Sequence, residues 1–342
     1  MSATSRSGAA AAAAAAAQLE PVLEAGGREL AGLLASTEAR LAEVIEGYGE
    51  TLAGYAAGTL AAGGKRLRPI LVFVCGGAGG DPAAREEPLC DTPAGTALVR
   101  AGVAVELLHM ATLVHDDVLD RASLRRGRPT VFSSAGRAAA TATGDLLFSR
   151  AFAELVATND VDAVRALSSA SSALARGELM QRSDAWRAEV SPDRYLERCE
   201  LKTASLFAAA CALGDPALAG FGTRIGLAFQ MLDDVLDVAG PPERTGKARG
   251  TDLLDGTVTL PFILARERDP ALARLDLRAT VRTPVDAEAV CERIAATGAL
   301  DAARERALGI VAAAKDELPA VLGERQRHAL ELVADGVVER FA

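Results

Sequence analysis

The sequence predicts an all-α protein, and composition, hydrophobic period and the lack of a strand pattern together carry that prediction. Of the 342 residues, 50% are apolar but only 4% aromatic, so the interior must be filled by Ala, Leu and other aliphatic side chains of high helix propensity. Apolar residues recur every three or four positions, as at Leu30, Leu33 and Leu34 and again at Leu41, Val44 and Ile45, which is the period of amphipathic helices. No stretch alternates apolar and polar residues between turn signals, and no nucleotide-type glycine motif follows a strand.

The elements follow in chain order. Residues 1–18 contain an alanine run, Ala9 to Ala17, preceded by a single positive charge at Arg6. Without Leu or Val the run makes a poor signal-peptide core, so 1–18 is expected to be a disordered tail and 19–342 a single domain. Helical periodicity fills 19–60, punctuated by Gly26-Gly27 and closed by Gly63-Gly64. Three prolines make 81–93 a loop. Residues 94–119 are nearly all apolar and long enough for a buried helix. Further helical stretches are expected at 138–157, 161–179, 192–213, 217–238 and 260–265, with glycine-rich loops at 76–80 and 246–250. There is no internal repeat of solenoid period. No unbroken apolar run reaches the roughly 18 residues that a membrane span needs, Pro69 to Gly80 being the nearest. The expectation is therefore a soluble, cytoplasmic protein with no transmembrane segment.

Charge and cysteine usage exclude some functions. A formal net charge of -9 argues against a nucleic-acid partner, which requires a basic face. Cys75, Cys90, Cys199, Cys211 and Cys291 form no CxxC pair, so they read as reduced core thiols and not as a zinc site or disulfide framework.

One short motif occurs twice. His115 precedes Asp116-Asp117-Val118-Leu119-Asp120, and Asp233-Asp234-Val235-Leu236-Asp237 repeats the same five residues, each copy following a hydrophobic helical stretch. On a helix, i and i+4 share a face, so Asp116 with Asp120 and Asp233 with Asp237 each form a claw of two carboxylates. Like charges at that spacing repel and call for a cation. Hard oxygen ligands suit Mg²⁺, which takes a few carboxylates and completes its shell with water and phosphate oxygens. Two facing claws would hold a diphosphate through bridging metal ions. Basic residues accompany them: Gly63-Gly64-Lys65-Arg66-Leu67-Arg68-Pro69, and Arg125-Arg126-Gly127-Arg128-Pro129 directly after the first claw. Arg binds phosphate bidentately and Lys as a point charge. Either basic run alone is explained by a solvated loop, and a single acidic cluster by an exposed helix end. The combination is not.

These residues resemble the trans-isoprenyl diphosphate synthase family. Eight segments carry the resemblance in order: GGKRLRP from Gly63, ELLHMATLVHDDVLD from Glu106, LRRGRPT from Leu124, GDLLFSRAF from Gly144, GELMQ from Gly177, KTASLF from Lys202, FQMLDDVLD from Phe229 and GKARGTDLLDG from Gly246. The resemblance implies the isoprenoid synthase fold, a single large bundle of long helices around a central hydrophobic cavity, and a homodimer. It implies a trans-prenyltransferase that condenses isopentenyl diphosphate with an allylic diphosphate into a linear polyprenyl diphosphate. It places isopentenyl diphosphate on Lys65, Arg68, His109 and Arg126, and the allylic diphosphate among Arg125, Lys202, Gln230 and Lys247, with Thr203 near the allylic cation. Asp116, Asp120 and Asp233 would bind Mg²⁺ directly, three ions with substrate bound, with Asp117, Asp234 and Asp237 joining directly or through water. Two departures stand out. Val258-Thr259-Leu260-Pro261 has Val where the family often has Lys or Pro, so no ligand role passes to Val258, and Pro241-Pro242 alters the loop after the second claw.

One turn beneath Asp116 lie Ala111 and Thr112, where bulky aromatics give short products in this family. Small residues there imply a product of C20 or longer, of the quinone side-chain type, with Leu108, Val105 or residues 144–152 left to set a floor. Four alternatives stand beside this reading. A geranylgeranyl diphosphate synthase differs only in product length. A class I terpene cyclase has no use for Lys65 and Arg68 and seldom repeats its first claw, and an inactive regulatory subunit tends to lose one. Glu106 and His109 match the Glu-x-x-His spacing of di-iron bundles, which need a second copy; His328 does not provide one.

Overall fold

The computed structural model describes residues 20–47, 54–56, 58–60, 66–80, 87–125, 127–240 and 249–339. The expected tail lies outside them, as do Lys65, Arg126, Lys247 and the Pro241-Pro242 loop. The chain is all-α, as its composition predicts. Its twelve main described helices are α1 (Glu20–Glu46), α2 (Leu67–Cys75), α3 (Pro93–Leu119), α4 (Val131–Val156), α5 (Val161–Asp184), α6 (Pro192–Cys199), α7 (Ser205–Gly214), α8 (Ala219–Ala239), α9 (Leu260–Arg268), α10 (Pro284–Ala295), α11 (Ala299–Asp316) and α12 (Glu324–Glu339). Among the described residues the only strands are β1 (Leu124–Arg125) and β2 (Arg128–Pro129), an antiparallel hairpin with Leu124 opposite Pro129. Its turn takes Gly127 to φ +76, a conformation glycine adopts without strain.

Contacts divide the chain into two units. The first holds residues up to Ser171 together with Leu206–Gly222 and Leu318–Val333. Its centre is α3, on which every residue from Gly102 to Leu108 is buried, as expected of a helix that is apolar on all sides. It packs most extensively on α4, and also on α2 and α1. Thr92 starts it, accepting a hydrogen bond from Gly95 N at 2.9 Å, with Pro93 in the first turn. Thr130 caps α4 in the same way, accepting from Ser133 N at 3.0 Å.

The membrane expectation needs one correction, because α3 does have the length and composition of a membrane span. Counting only unbroken apolar residues overlooked it, since a span tolerates isolated charges such as Arg100 and Glu106. Most of the helix is buried inside the protein, and the core helix of a large domain meets the same criterion.

The second unit holds Ser172–Ser205, Thr223–Glu317 and the residues from Ala334. There α9 lies against α6, α10 and α11. Ser191 caps α6 by accepting from Arg194 N at 3.2 Å, and a reciprocal pair between Thr283 and Asp286 caps α10. The expected continuous helix over 192–213 is interrupted by a π-turn at Glu200–Ala204 between α6 and α7.

Candidate active site

The first claw closes α3. Asp117 is 5% exposed, and Arg125 Nε on β1 donates to its Oδ1 at 2.8 Å. Asp116 is half-buried and Asp120, the last residue of the turn, is exposed. The ring of His115 lies against α4, where Gly144 leaves it room: a Cβ on Gly144 would run into the imidazole. His115 Nε2 is 3.2 Å from Asp145 Oδ1. The glycine and aspartate of the GDLLF segment thus fit α4 around the residue that precedes the claw.

The basic run before α2 is built into the same unit. Arg66 takes φ +49 as the cap of α2, and its guanidinium pairs with Glu38 and, at 2.7 Å, with Glu106 Oε1. Glu106 therefore serves arginine binding in a half-buried network, which answers the di-iron reading of Glu106 and His109. The Arg68 guanidinium stands 4.8 Å from the centre of the Phe207 ring, a cation–π arrangement. His109 is half-buried. Three residues further along, Thr112 donates its hydroxyl back to the His109 carbonyl at 2.7 Å. Ala111, Leu108 and Val105 are fully buried.

The second claw lies on α8 within the second unit. Asp234 is 3% exposed. Its Oδ2 accepts from the Tyr195 hydroxyl at 2.7 Å and its Oδ1 from Gln230 Nε2 at 2.7 Å. Burial pushes its carboxyl up to about 7, opposed by these two donors and reinforced by neighbouring Asp233. Asp233 and Asp237 are half-buried. The Asp237 carboxylate accepts from Thr251 N and Asp252 N, each at 3.2 Å, and so caps the short turn Thr251–Leu254 of the TDLLDG segment. Gly256 ends that segment at φ +74 with its α-carbon so close to Trp186 that a Cβ would overlap the indole.

The π-turn presents Lys202 and Thr203. Gly177 on α5 makes this possible, because a Cβ there would lie 2.6 Å from Lys202 N. Lys202 Nζ pairs with Glu178 Oε2 at 2.5 Å. Burial alone would raise the Glu178 carboxyl, but Lys202 and Arg182 hold it below the usual carboxylate range. The Thr203 hydroxyl donates to Gln230 Oε1 at 2.7 Å. Val258 is fully buried, and its carbonyl accepts from Arg198 Nη2, a structural contact that suits the absence of a ligand role. Arg66, Glu178 and Tyr195 were given no role from the sequence. The first two at least sit in the quoted motifs, whereas nothing marks Tyr195 until the fold buries it.

Among the described residues, no three carboxylate, imidazole or thiolate side chains converge on one point. In the first claw Asp116 is half-buried and Asp120 exposed while Asp117 pairs with Arg125, and in the second Asp233 is half-buried while Asp234 and Asp237 accept hydrogen bonds from the protein. That donor set fits Mg²⁺, which is usually held by one or two carboxylates with water and substrate phosphates making up the rest, and fits poorly a metal that needs a complete protein cage.

Residues 50–296 match the family model for polyprenyl synthetases. The chain is 39% identical over 216 residues to heptaprenyl diphosphate synthase component 2 of Geobacillus stearothermophilus, a match covering 60% of this chain and 64% of that one. It is 33% identical to geranylgeranyl diphosphate synthase of Methanosarcina mazei, covering 82% of this chain and 86% of that one. In structure it is similar to a polyprenyl synthase from Caulobacter crescentus solved with calcium and isoprenyl diphosphate, with TM-score 0.79, 35% identity and coverage of 96% and 98%.

Proposed function

This chain belongs to the polyprenyl synthetase family, and from that premise we propose that it is a magnesium-dependent trans-prenyltransferase that lengthens an allylic diphosphate with isopentenyl diphosphate to C20 or beyond. The observation that carries the reading is the duplicated Asp-Asp-Val-Leu-Asp at the ends of α3 and α8. The relative from Caulobacter, solved with a divalent cation and an isoprenyl diphosphate, supports the ligand chemistry.

Asp116, Asp120 and Asp233 would hold the magnesium ions, with Asp117, Asp234 and Asp237 supporting them directly or through water. Bound magnesium supplies Lewis-acid neutralisation of the charge that builds on a leaving diphosphate. Arg125, Lys202, Gln230 and Lys247 grip the allylic diphosphate, and Lys65, Arg68, His109 and Arg126 grip isopentenyl diphosphate. The allylic C–O bond breaks, and the buried aliphatic side chains beneath keep water from the cation. The double bond of isopentenyl diphosphate forms the new C–C bond, and the proton lost passes to the released diphosphate. Ala111 and Thr112, small for their place one turn below the claw, leave room for a long chain.

The test is to incubate the purified chain with radiolabelled isopentenyl diphosphate and C5, C10, C15 and C20 primers, then size the products. Linear products of C20 or longer, lost on adding EDTA, are expected; cyclic products or undiminished activity in EDTA would refute the reading. The likeness to a relative named as a component favours one second reading, that turnover needs a companion chain. Activity of the chain alone, as a homodimer by light scattering, would exclude that.

A further inference from the structure

Tyr195 is fully buried on α6, and nothing in the proposed chemistry uses it. Its hydroxyl nevertheless begins an unbroken series of hydrogen bonds. Tyr195 donates to Asp234 Oδ2, Gln230 Nε2 donates to Asp234 Oδ1, and the Thr203 hydroxyl donates to Gln230 Oε1, all at 2.7 Å. The direction of the series follows from its geometry. Asp234 accepts at both oxygens, and the Gln230 amide turns its NH₂ to Asp234 and its oxygen to Thr203. The single hydroxyl hydrogen of Thr203 is then spent on Gln230. Thr203 retains only oxygen lone pairs for any other neighbour.

We propose that Tyr195 is a positioning residue for prenyl transfer: by occupying one oxygen of Asp234 it locks the Asp234–Gln230–Thr203 chain so that Thr203 offers lone pairs, and no proton, to the allylic carbon. This rests on the function proposed above. Each oxygen of Asp234 has its own donor, and both donors come from packed helices, so the carboxylate cannot rotate. The Arg198 guanidinium, 5.5 Å from the Tyr195 ring centre, holds the ring in place. Without the phenol, Asp234 is gripped from one side only. The amide and the threonine hydroxyl are then free to reorient, and a hydroxyl hydrogen turned toward a developing cation opposes ionisation.

The experiment compares wild type with Tyr195→Phe, Thr203→Val and the double variant in the full chain. Steady-state kinetics are measured at saturating magnesium, together with Tm and a calorimetric Mg²⁺ titration of the substrate-free protein. Tyr195→Phe should lower kcat about tenfold, in the range seen for loss of a supporting hydrogen bond, with KM for isopentenyl diphosphate unchanged. Mg²⁺ affinity should hold within about twofold. The double variant should be no slower than Thr203→Val, because the two act through one chain. A fall in Tm with wild-type kcat overturns the proposal, as do additive effects in the double variant or a loss of Mg²⁺ affinity in the calorimetric titration. If Tyr195→Phe does not fold, Gln230→Met breaks the same chain and must show the same non-additivity with Thr203→Val. A wild type that makes no prenyl diphosphate refutes the proposed function. One that turns over while Tyr195→Phe matches it refutes only the role of Tyr195.

Discussion

The two aspartate claws share five residues in the same order yet are held by different means. In the first, the middle carboxylate Asp117 meets a cation, Arg125, only eight positions further along the chain. In the second, the middle carboxylate Asp234 meets two neutral donors, one of them 39 positions away on α6. The outer residues differ too: Asp120 ends its helix exposed, whereas Asp237 caps the turn at Thr251–Leu254. An identical motif thus sits in one place on a charge pair close to solvent and in the other on a buried polar network. Guanidinium pairing tolerates partial exposure, while a buried carboxylate requires every donor to be in place.

Removing an outer carboxylate should do the most damage. Asp116→Ala and Asp233→Ala are each expected to lower kcat on the order of 10³-fold, consistent with a metal contribution of several kcal/mol; equal losses would show that both claws serve one step, and a silent Asp233→Ala would break the comparison. Next comes the support of the first claw. Arg125→Leu should cost about 10- to 100-fold and raise KM for the allylic diphosphate, whereas Tyr195→Phe should act on kcat. Thr112→Phe leaves the chemistry intact and shortens the product; chromatography of the polyprenols showing unchanged length would refute the tunnel assignment.

Two glycines extend the comparison to stability. A methyl on Gly177 meets the backbone of Lys202 at 2.6 Å, whereas the atoms nearest to one on Gly144 belong to the ring of His115. Backbone cannot give way as a side chain can, so Gly177→Ala should lose about 1–3 kcal/mol in urea unfolding and Gly144→Ala less. The smallest effect concerns acid. Glu178 is held below its ordinary value of 4.5 by Lys202 and Arg182 once burial is overcome. Its stabilising contribution is complete above the unfolded-state value and fades as pH falls through the lower folded one. Glu178→Gln should therefore flatten the acid limb of a Tm-against-pH curve below about pH 5.

Much of this was legible from residues alone. The run 94–119 became α3 (Pro93–Leu119), and 217–238 became α8 within two residues at either end, because both are strongly apolar. The start of α4 was missed: the helix begins at Val131 and passes through Gly136 at φ +81, so its first turns are out of period. Among the last three helices, α11 escaped notice because it buries mainly Ala299, Ala303, Ala307 and Ala314, side chains too small to raise a hydrophobic stripe. Within the site, the claws and basic runs announced themselves by charge. Tyr195 did not, since its role depends on α6 and α8 coming together, and no local spacing encodes that.

The widened turn at Glu200–Ala204 carries a consequence for how this chain can vary. Such a turn holds one residue more than an α-helix would, and it survives where geometry, not stability, rewards it. Deleting one residue between Cys199 and Ser205 would restore regular winding and give a helix of better propensity. It would also swing every side chain on one flank by about 100° relative to the other, parting Lys202 from Glu178 or Thr203 from Gln230. Insertions and deletions are therefore barred from this stretch even though a shorter version would fold more easily.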